Sequence, residues 1–294
     1  VIESERDLLP DIRTVRVLER LRLKPRNSFS GRVRGERLAR EKGVSLEFKD
    51  YRDYSEGDDL RHVDWNVLAR LGVPIVKTYQ DEEDLPVMVL VDCSTSMDFG
   101  EPNKFLFARQ LAAGFGVIAG RGGDSVQGLA LGSGGKTRFL RGRRGTTLFS
   151  HWLASLKPGG DRPVSFEIRQ LLKAVGRVGL FVVVSDGMDP QIGSAIGAIA
   201  AAGHEVWFLQ TLSPFEIDPA IEGDLRLIDL ESGAAVEITA NGPTLAAYRS
   251  NLEAHNLALQ MAVTRYGGRY ALLPTDRPLS EVFAETLRSM GWFE

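Results

Sequence analysis

The chain has 294 residues, 43% hydrophobic and 26% charged, proportions that fit a globular protein with a sizeable core and need no staples. Its 36 Lys and Arg against 39 Asp and Glu leave a formal charge of -3, which argues against a dedicated nucleic-acid binder. One cysteine, Cys93, excludes an intramolecular disulfide, and the charged opening Val-Ile-Glu-Ser-Glu-Arg-Asp is no signal peptide, so the expected location is the cytoplasm.

Residues 11–23 read as a helix, with leucines alternating with Arg and Glu. The Arg-, Gly- and Ser-rich stretch from Lys24 to Lys42 has no period and reads as a loop or extended arm. Leu46 to Tyr54 alternates like a strand, and Asp58 or Asp59 is placed to cap a short helix through Val67. From Leu85 the pattern changes. Val87–Val91 is a short apolar run ending in Asp92-Cys-Ser-Thr-Ser, and a helix is expected over Asn103–Ala119. Ser125–Leu131 reads as a strand with Thr137–Arg141 as its hairpin partner across Gly132-Ser-Gly-Gly. Helices follow over Thr147–Leu156, ended by Pro158-Gly-Gly, and over Phe166–Val175. Leu180–Val184 is a second apolar strand, too short to span a bilayer, ending in Ser185-Asp-Gly. Ile192–Ala202 reads as a helix, Glu205–Leu209 as a third buried strand, and 222–240 as a polar hairpin. Leu245–Thr264 reads as a long helix, Arg269–Leu273 as a last strand and Leu279–Met290 as a last helix.

Apolar strands separated by helices predict an α/β fold: a doubly wound, mostly parallel sheet with helices on both faces. The expected organisation is an N-terminal extension over 1–84, packed on a core domain over 85–294. In such a sheet ligands bind beyond the carboxyl ends of the strands, where strand order reverses. Asp92, Ser94 and Ser96 fall at one such end and Asp186 at another. Two carboxylates and two neutral hydroxyls are donors for a hard divalent cation, which wants oxygens in octahedral array and keeps several waters. One coordination position then stays open for an acidic group of a partner.

Asp92-Cys-Ser-Thr-Ser-Met resembles the metal-ion-dependent adhesion site of von Willebrand factor A domains, Asp-x-Ser-x-Ser, and Asp186 matches its distal aspartate. Tyr51-Arg-Asp-Tyr-Ser-Glu-Gly-Asp-Asp-Leu-Arg-His-Val-Asp-Trp-Asn-Val-Leu-Ala-Arg resembles the signature of domain-of-unknown-function family fifty-eight. These are bacterial and archaeal proteins with a von Willebrand A-like domain. The likeness runs from about Ser30 to the C-terminus, through Gly223-Asp-Leu-Arg-Leu-Ile-Asp-Leu-Glu-Ser-Gly and the final Leu-Leu-Pro-Thr-Asp. It implies Mg²⁺ (or Mn²⁺) at the site, and a MoxR-type AAA+ ATPase as partner in the assembly or maturation of other proteins. The site's usual Thr aligns with Val164, so Ser165 beside it is the candidate substitute, and Thr146 and Thr147 lie one helix too early.

Other readings compete. Asp92 placed after a first strand also suits a metal-dependent phosphohydrolase, but the general acid expected two residues on is Ser94. A structural domain with a vestigial site is the remaining alternative. No spacing ties a histidine (62, 151, 204 or 255) to Cys93, which reads as packing. Arg138, Arg141, Arg143 and Arg144 suit either a phosphate or nucleic-acid contact or a solvated hairpin edge, and the acidic net charge favours the edge. Arg52, Asp58, Arg61, Asp64, Trp65 and Arg70 suit a partner surface or, in the favoured reading, a clamp of Arg–Asp pairs around a buried Trp.

Overall fold

The computed structural model describes residues 8, 12–27, 47–55, 58, 60, 63–80, 84–160, 162–229 and 233–294. Arg61, Asp59 and most of the expected arm lie outside them. The chain divides into two units, Val1–Phe29 with Leu85–Glu294, and Ser30–Asp84. The first helix, α1 (Ile12–Leu18), thus groups with the residues from Leu85 onward and not with the signature segment.

The smaller unit is an antiparallel pair, β1 (Glu47–Asp53) with β2 (Ile75–Gln80), joined through helix α2 (Trp65–Leu71). β2 has no counterpart in the sequence reading. Asp64, not Asp58 or Asp59, caps the helix: its Oδ1 accepts from the amides of Asn66 (3.0 Å) and Val67 (3.2 Å). The Tyr51 hydroxyl donates to its other oxygen at 3.4 Å. Asp58 is instead held by Arg52, whose two terminal nitrogens donate to its two oxygens at 2.7 and 2.6 Å. The Arg52 guanidinium and the Ser55 amide hold that carboxyl at about 2. The clamp is therefore corrected in one respect. Trp65 is 58% exposed, because it opens a seven-residue helix with no buried residue, and Arg70 is exposed in the last turn.

The larger unit is a six-stranded sheet. Its strands are β3 (Pro86–Asp92), β4 (Ser125–Leu131), β5 (Leu140–Arg141), β6 (Leu180–Ser185), β7 (Glu205–Leu212) and β10 (Arg269–Pro274), in the order β10-β7-β6-β3-β4-β5. Every pairing is parallel except that of β5 with β4. The hairpin partner of β4 is shorter than its sequence predicts. Only Leu140 and Arg141 pair as a strand, against Val126 and Ser125.

Alternation along the fully buried strands explains the layers. Val87, Val89, Val91, Leu180, Val182, Val184, Trp207 and Leu209 face one core, with α3 (Lys104–Gly122), α4 (Gly142–Ser155) and α1. Met88, Leu90, Phe181, Val183, Val206 and Phe208 face the other, with α5 (Val164–Leu172) and α6 (Ile192–Ala201). A short helix, α7 (Pro214–Ile217), follows β7, and an exposed two-stranded sheet of β8 (Gly223–Ile228) and β9 (Ala235–Ala240) leads to α8 (Gly242–Arg265). The last helix, α9 (Leu279–Glu281), runs on in π form over Val282–Leu287. No helix among the described residues is long and apolar enough to cross a membrane.

From β3 the chain moves to β4 on one side, then returns to place β6 on the other. That reversal opens a crevice beyond the carboxyl ends of β3 and β6, the position where Asp92 and Asp186 stand.

Candidate functional site

The loop after β3 is organised by its own side chains. Asp92 Oδ1 accepts from the Ser94 amide at 2.9 Å, which turns the loop back over the strand end, and the Ser94 and Ser96 hydroxyls lie 3.0 Å apart. Asp92 Oδ2 accepts from the Ser185 hydroxyl at 2.5 Å, and Ser185 Oγ accepts from the Gly187 amide at 3.0 Å. The two strand ends are thereby tied together. Asp92, Ser94, Ser165 and Asp186 are buried and Ser96 half-buried. All five line one cleft of about 830 Å³.

Its far wall is set by glycines. The amides of Gly159 and Gly160 donate to the Cys93 carbonyl at 3.0 and 2.8 Å. The Gly132 amide donates to Glu167 Oε2 at 3.1 Å, and Arg162 holds the other oxygen of that carboxylate at 3.1 Å. Asp189, absent from the sequence reading, also lines the cleft. It accepts from the Ser165 amide and from the Gln191 amide, both at 2.8 Å, which seats the start of α5 beside the β6 loop. Thr146 and Thr147 stand in α4 with their hydroxyls on the carbonyls of Gly142 and Arg143, and neither lines the cleft.

A buried cation belongs to the site. Lys104, 1% exposed, donates to Asp186 Oδ2 at 3.1 Å and to Glu216 Oε1 at 2.6 Å. The other oxygen of Glu216 accepts from the Ser213 amide at 2.7 Å in a capping box that starts α7. Burial pulls the ammonium down, but Asp186 and Glu216 outweigh it and the net shift is upward. The sequence carries one faint signal. A Lys in the first turn of a helix opposes the macrodipole unless an acid meets it.

The Asp92 carboxyl is pushed up to about 6, by burial first and by Asp186 second, against the hydrogen bonds from Ser185 and Ser94. A buried carboxyl whose ionisation is made costlier by burial and by a neighbouring carboxylate is an electrostatic setting that a cation relieves. Among the described residues no trio of His, Cys, Asp or Glu side chains gathers. The donors here are carboxylates and hydroxyls, which suits a hard oxygen-seeking ion such as Mg²⁺ rather than a soft one. Asp92, Ser94 and Ser96 would hold it, with Ser165 across the cleft. Asp186 is ion-paired with the buried Lys104 and accepts from the Met188 amide at 3.1 Å, so it would stand as a charge behind the ligands.

Cys93 sits beneath this loop, buried, with its thiol pushed up to about 12 by desolvation. Iodoacetamide at mildly alkaline pH is therefore expected to leave the native protein unmodified and to alkylate it fully in urea. Intact-mass spectrometry reads the difference.

A family model described as "Protein of unknown function DUF58" matches residues 50–258. Uncharacterized proteins of Mycobacterium tuberculosis (Rv1480) and Mycobacterium bovis (Mb1516) are each 27% identical over 276 residues, 92% of this chain and 87% of theirs. Among solved structures, the conserved hypothetical protein BatB of Bacteroides thetaiotaomicron matches with TM-score 0.45 and 16% identity, over 70% of this chain and 98% of that one. An aerotolerance-related membrane protein of Bacteroides fragilis matches with TM-score 0.43 and 16% identity, over 70% and 100%.

Proposed function

The chain belongs to the DUF58 family, which carries no assigned function, and from the chemistry of the cleft we propose that it is a non-enzymatic protein-binding module with a metal-ion-dependent adhesion-type site. One observation carries the reading. Five oxygen-bearing side chains, Asp92, Ser94 and Ser96 at the end of β3, Ser165 in the first turn of α5 and Asp186 after β6, line one open cleft, and the two carboxylates among them are buried. Mg²⁺ (or Mn²⁺) held there supplies a coordination position to a carboxylate from outside, and the partner completes the site. The neutral hydroxyls among the ligands leave the ion electrophilic enough to seek that carboxylate.

The residue types speak against a phosphohydrolase, because Ser94 stands where that chemistry needs an acid. The partner class that the family likeness suggests is a MoxR-type AAA+ ATPase, with this chain acting beside it in protein assembly or maturation.

The test has two arms. Millimolar Mg²⁺ is expected to raise wild-type stability by about 2–3 kcal/mol if it exceeds its dissociation constant about a hundredfold. Asp92→Ala is expected to show no such shift in thermal denaturation. Purified MoxR-type ATPase is expected to be retained by immobilised wild type in Mg²⁺ and released by EDTA or by Asp92→Ala. Equal retention on both proteins sinks the docking mechanism. No Mg²⁺ shift in either protein marks the site as vestigial.

A further inference from the structure

The turn after β6 that carries Asp186 is held from two sides. Its amides serve side chains of the site: Gly187 donates to Ser185 Oγ at 3.0 Å and Met188 to Asp186 Oδ1 at 3.1 Å. Its carbonyls go to residues that do not line the cleft. The Asp186 carbonyl accepts from Gln210 Nε2 at 2.9 Å. The Gly187 carbonyl lies 3.1 Å from His255 Nε2, and since a carbonyl only accepts, the ring nitrogen donates. Gly187 has φ 75°, in the left-handed region, and a Cβ there would stand 2.6 Å from Leu259 Cδ2. The turn therefore fits closely between the cleft, the end of β7 and α8.

Gln210 stands fully buried in β7, beside Ser185 in the parallel ladder. A buried primary amide is costly unless all its groups are bonded. One hydrogen of Nε2 goes to the Asp186 carbonyl and the other to Asn256 Oδ1, both at 2.9 Å, while Oε1 accepts from the Tyr270 hydroxyl. Turning the amide over would set its oxygen against two other oxygens, so the network has one orientation. Asn256 is half-buried on α8, a helix of 24 residues that buries only Leu259 and Val263. Tyr248, His255, Asn256, Leu259 and Val263 recur at helical spacing and share one face. Tyr248 donates to the carbonyl of Glu216 at 2.6 Å, and Glu216 is the acid that shares Lys104 with Asp186. The polar part of this face thus meets the supports of Asp186, and the apolar part seats the helix.

We propose that Gln210 and Asn256 are positioning residues of the site: together they fix the turn that places the Asp186 carboxylate against Lys104 and holds Ser185 on Asp92. This rests on the reading of the Asp92–Asp186 cleft as a cation site. Neither side chain lines the cleft, so neither is a ligand, and the effect runs through one peptide unit. The Asp186 carbonyl and the Gly187 amide belong to the same plane, and in a trans peptide they point in opposite directions. Gln210 holds the oxygen end of that plane. The nitrogen end donates to Ser185 Oγ, and the Ser185 hydroxyl donates to Asp92. Rotation of the plane therefore disturbs both carboxylates of the site at once. Gly187 offers no Cβ to resist that rotation. The Gln210 amide and its Asn256 acceptor supply the restraint.

Asn256→Leu removes the acceptor at a half-buried position, and Gln210→Met removes the amide at similar volume. Amide hydrogen exchange of the metal-free chain, resolved by NMR, reads the turn directly. Exchange at Gly187 and Met188 is expected to quicken at least about tenfold in each variant, beyond any change at Val182 and Val183 in β6. Val263→Ala trims the same helix where it packs on Gly268, and is expected to lower the urea midpoint without singling out the turn. In thermal-shift titrations the Mg²⁺ concentration for half effect is expected to rise at least about threefold in both network variants and to stay unchanged in Val263→Ala. Asn256→Leu decides alone if Gln210→Met does not fold. The proposal falls if the turn amides exchange as in wild type, if they quicken no more than Val182 and Val183, or if Mg²⁺ acts on the variants as on wild type. Should wild type itself show no Mg²⁺ shift, the adhesion-site reading falls, and the exchange result then decides by itself whether these two residues hold the turn.

Discussion

Lys104→Met is expected to lower the stability of the fold by about 3–5 kcal/mol, the cost of removing one member of a buried ionic cluster. Lys104 lies between the carboxylates of Asp186 and Glu216, with side-chain exposures of 1%, 3% and 18%. Methionine fills a similar volume, so the loss is electrostatic: Asp186 is left buried without its counter-ion. Glu216, the more exposed of the two, is partly rescued by water and by its contacts with Ser213. Urea denaturation followed by tryptophan fluorescence measures the change as a shift in midpoint. A midpoint unchanged from wild type refutes the account of Lys104 as the counter-ion of the site. The variant also reports on metal. An ammonium and a divalent cation compete for the same negative field, so Mg²⁺ is expected to stabilise Lys104→Met more than wild type. The reverse order would mean that Asp186 contributes no charge to the cation.

Gly160→Val is expected to abolish Mg²⁺-linked stabilisation while leaving the α/β core folded, at a cost of about 1–3 kcal/mol. A Cβ at Gly160 would meet the carbonyl carbon, Cα and carbonyl oxygen of Gly132 at 2.4, 2.6 and 2.7 Å. These are backbone atoms of a neighbouring loop, and no rotamer change relieves the contact. The two loops must part, and the Gly159 and Gly160 amides are drawn off the Cys93 carbonyl. The Asp92–Ser96 loop loses its far wall, and the donors on its two sides separate. Gly176→Ala is the control, since nothing stands within 4 Å of a Cβ there. The readouts are far-UV circular dichroism for the core, urea midpoint for stability, and the thermal shift with Mg²⁺ for the site. An intact Mg²⁺ response in a folded Gly160→Val protein would show that the wall does not position the donors.

The expectations that held are those resting on local pattern. Val87–Val91, Leu180–Val184 and Glu205–Leu209 are strands because β-branched and aromatic runs bounded by turn residues bury both faces of a parallel sheet. Helix α3 begins where expected, and Asn103 caps it, its side chain accepting from the Leu106 amide at 3.0 Å. The expectations that moved depend on partners elsewhere. Trp65 reads as buried from its bulk but opens a helix with no buried residue. Asp58 and Asp64 exchange roles, because Arg52 takes the first and leaves the second to cap α2.

From the chain alone came the sheet, the ends of β3 and β6 as the place of interest, and the oxygen donors there, since each follows from periodicity or from neighbours within a few residues. Folding alone decided that Asp189 joins Ser165 at the crevice, that a lysine 82 residues from Asp186 pairs with it, and that Gly132 and Gly160 interlock behind Cys93. Burial and Coulomb energy depend on distance in space, and a linear pattern carries no information on which distant residues that distance will join.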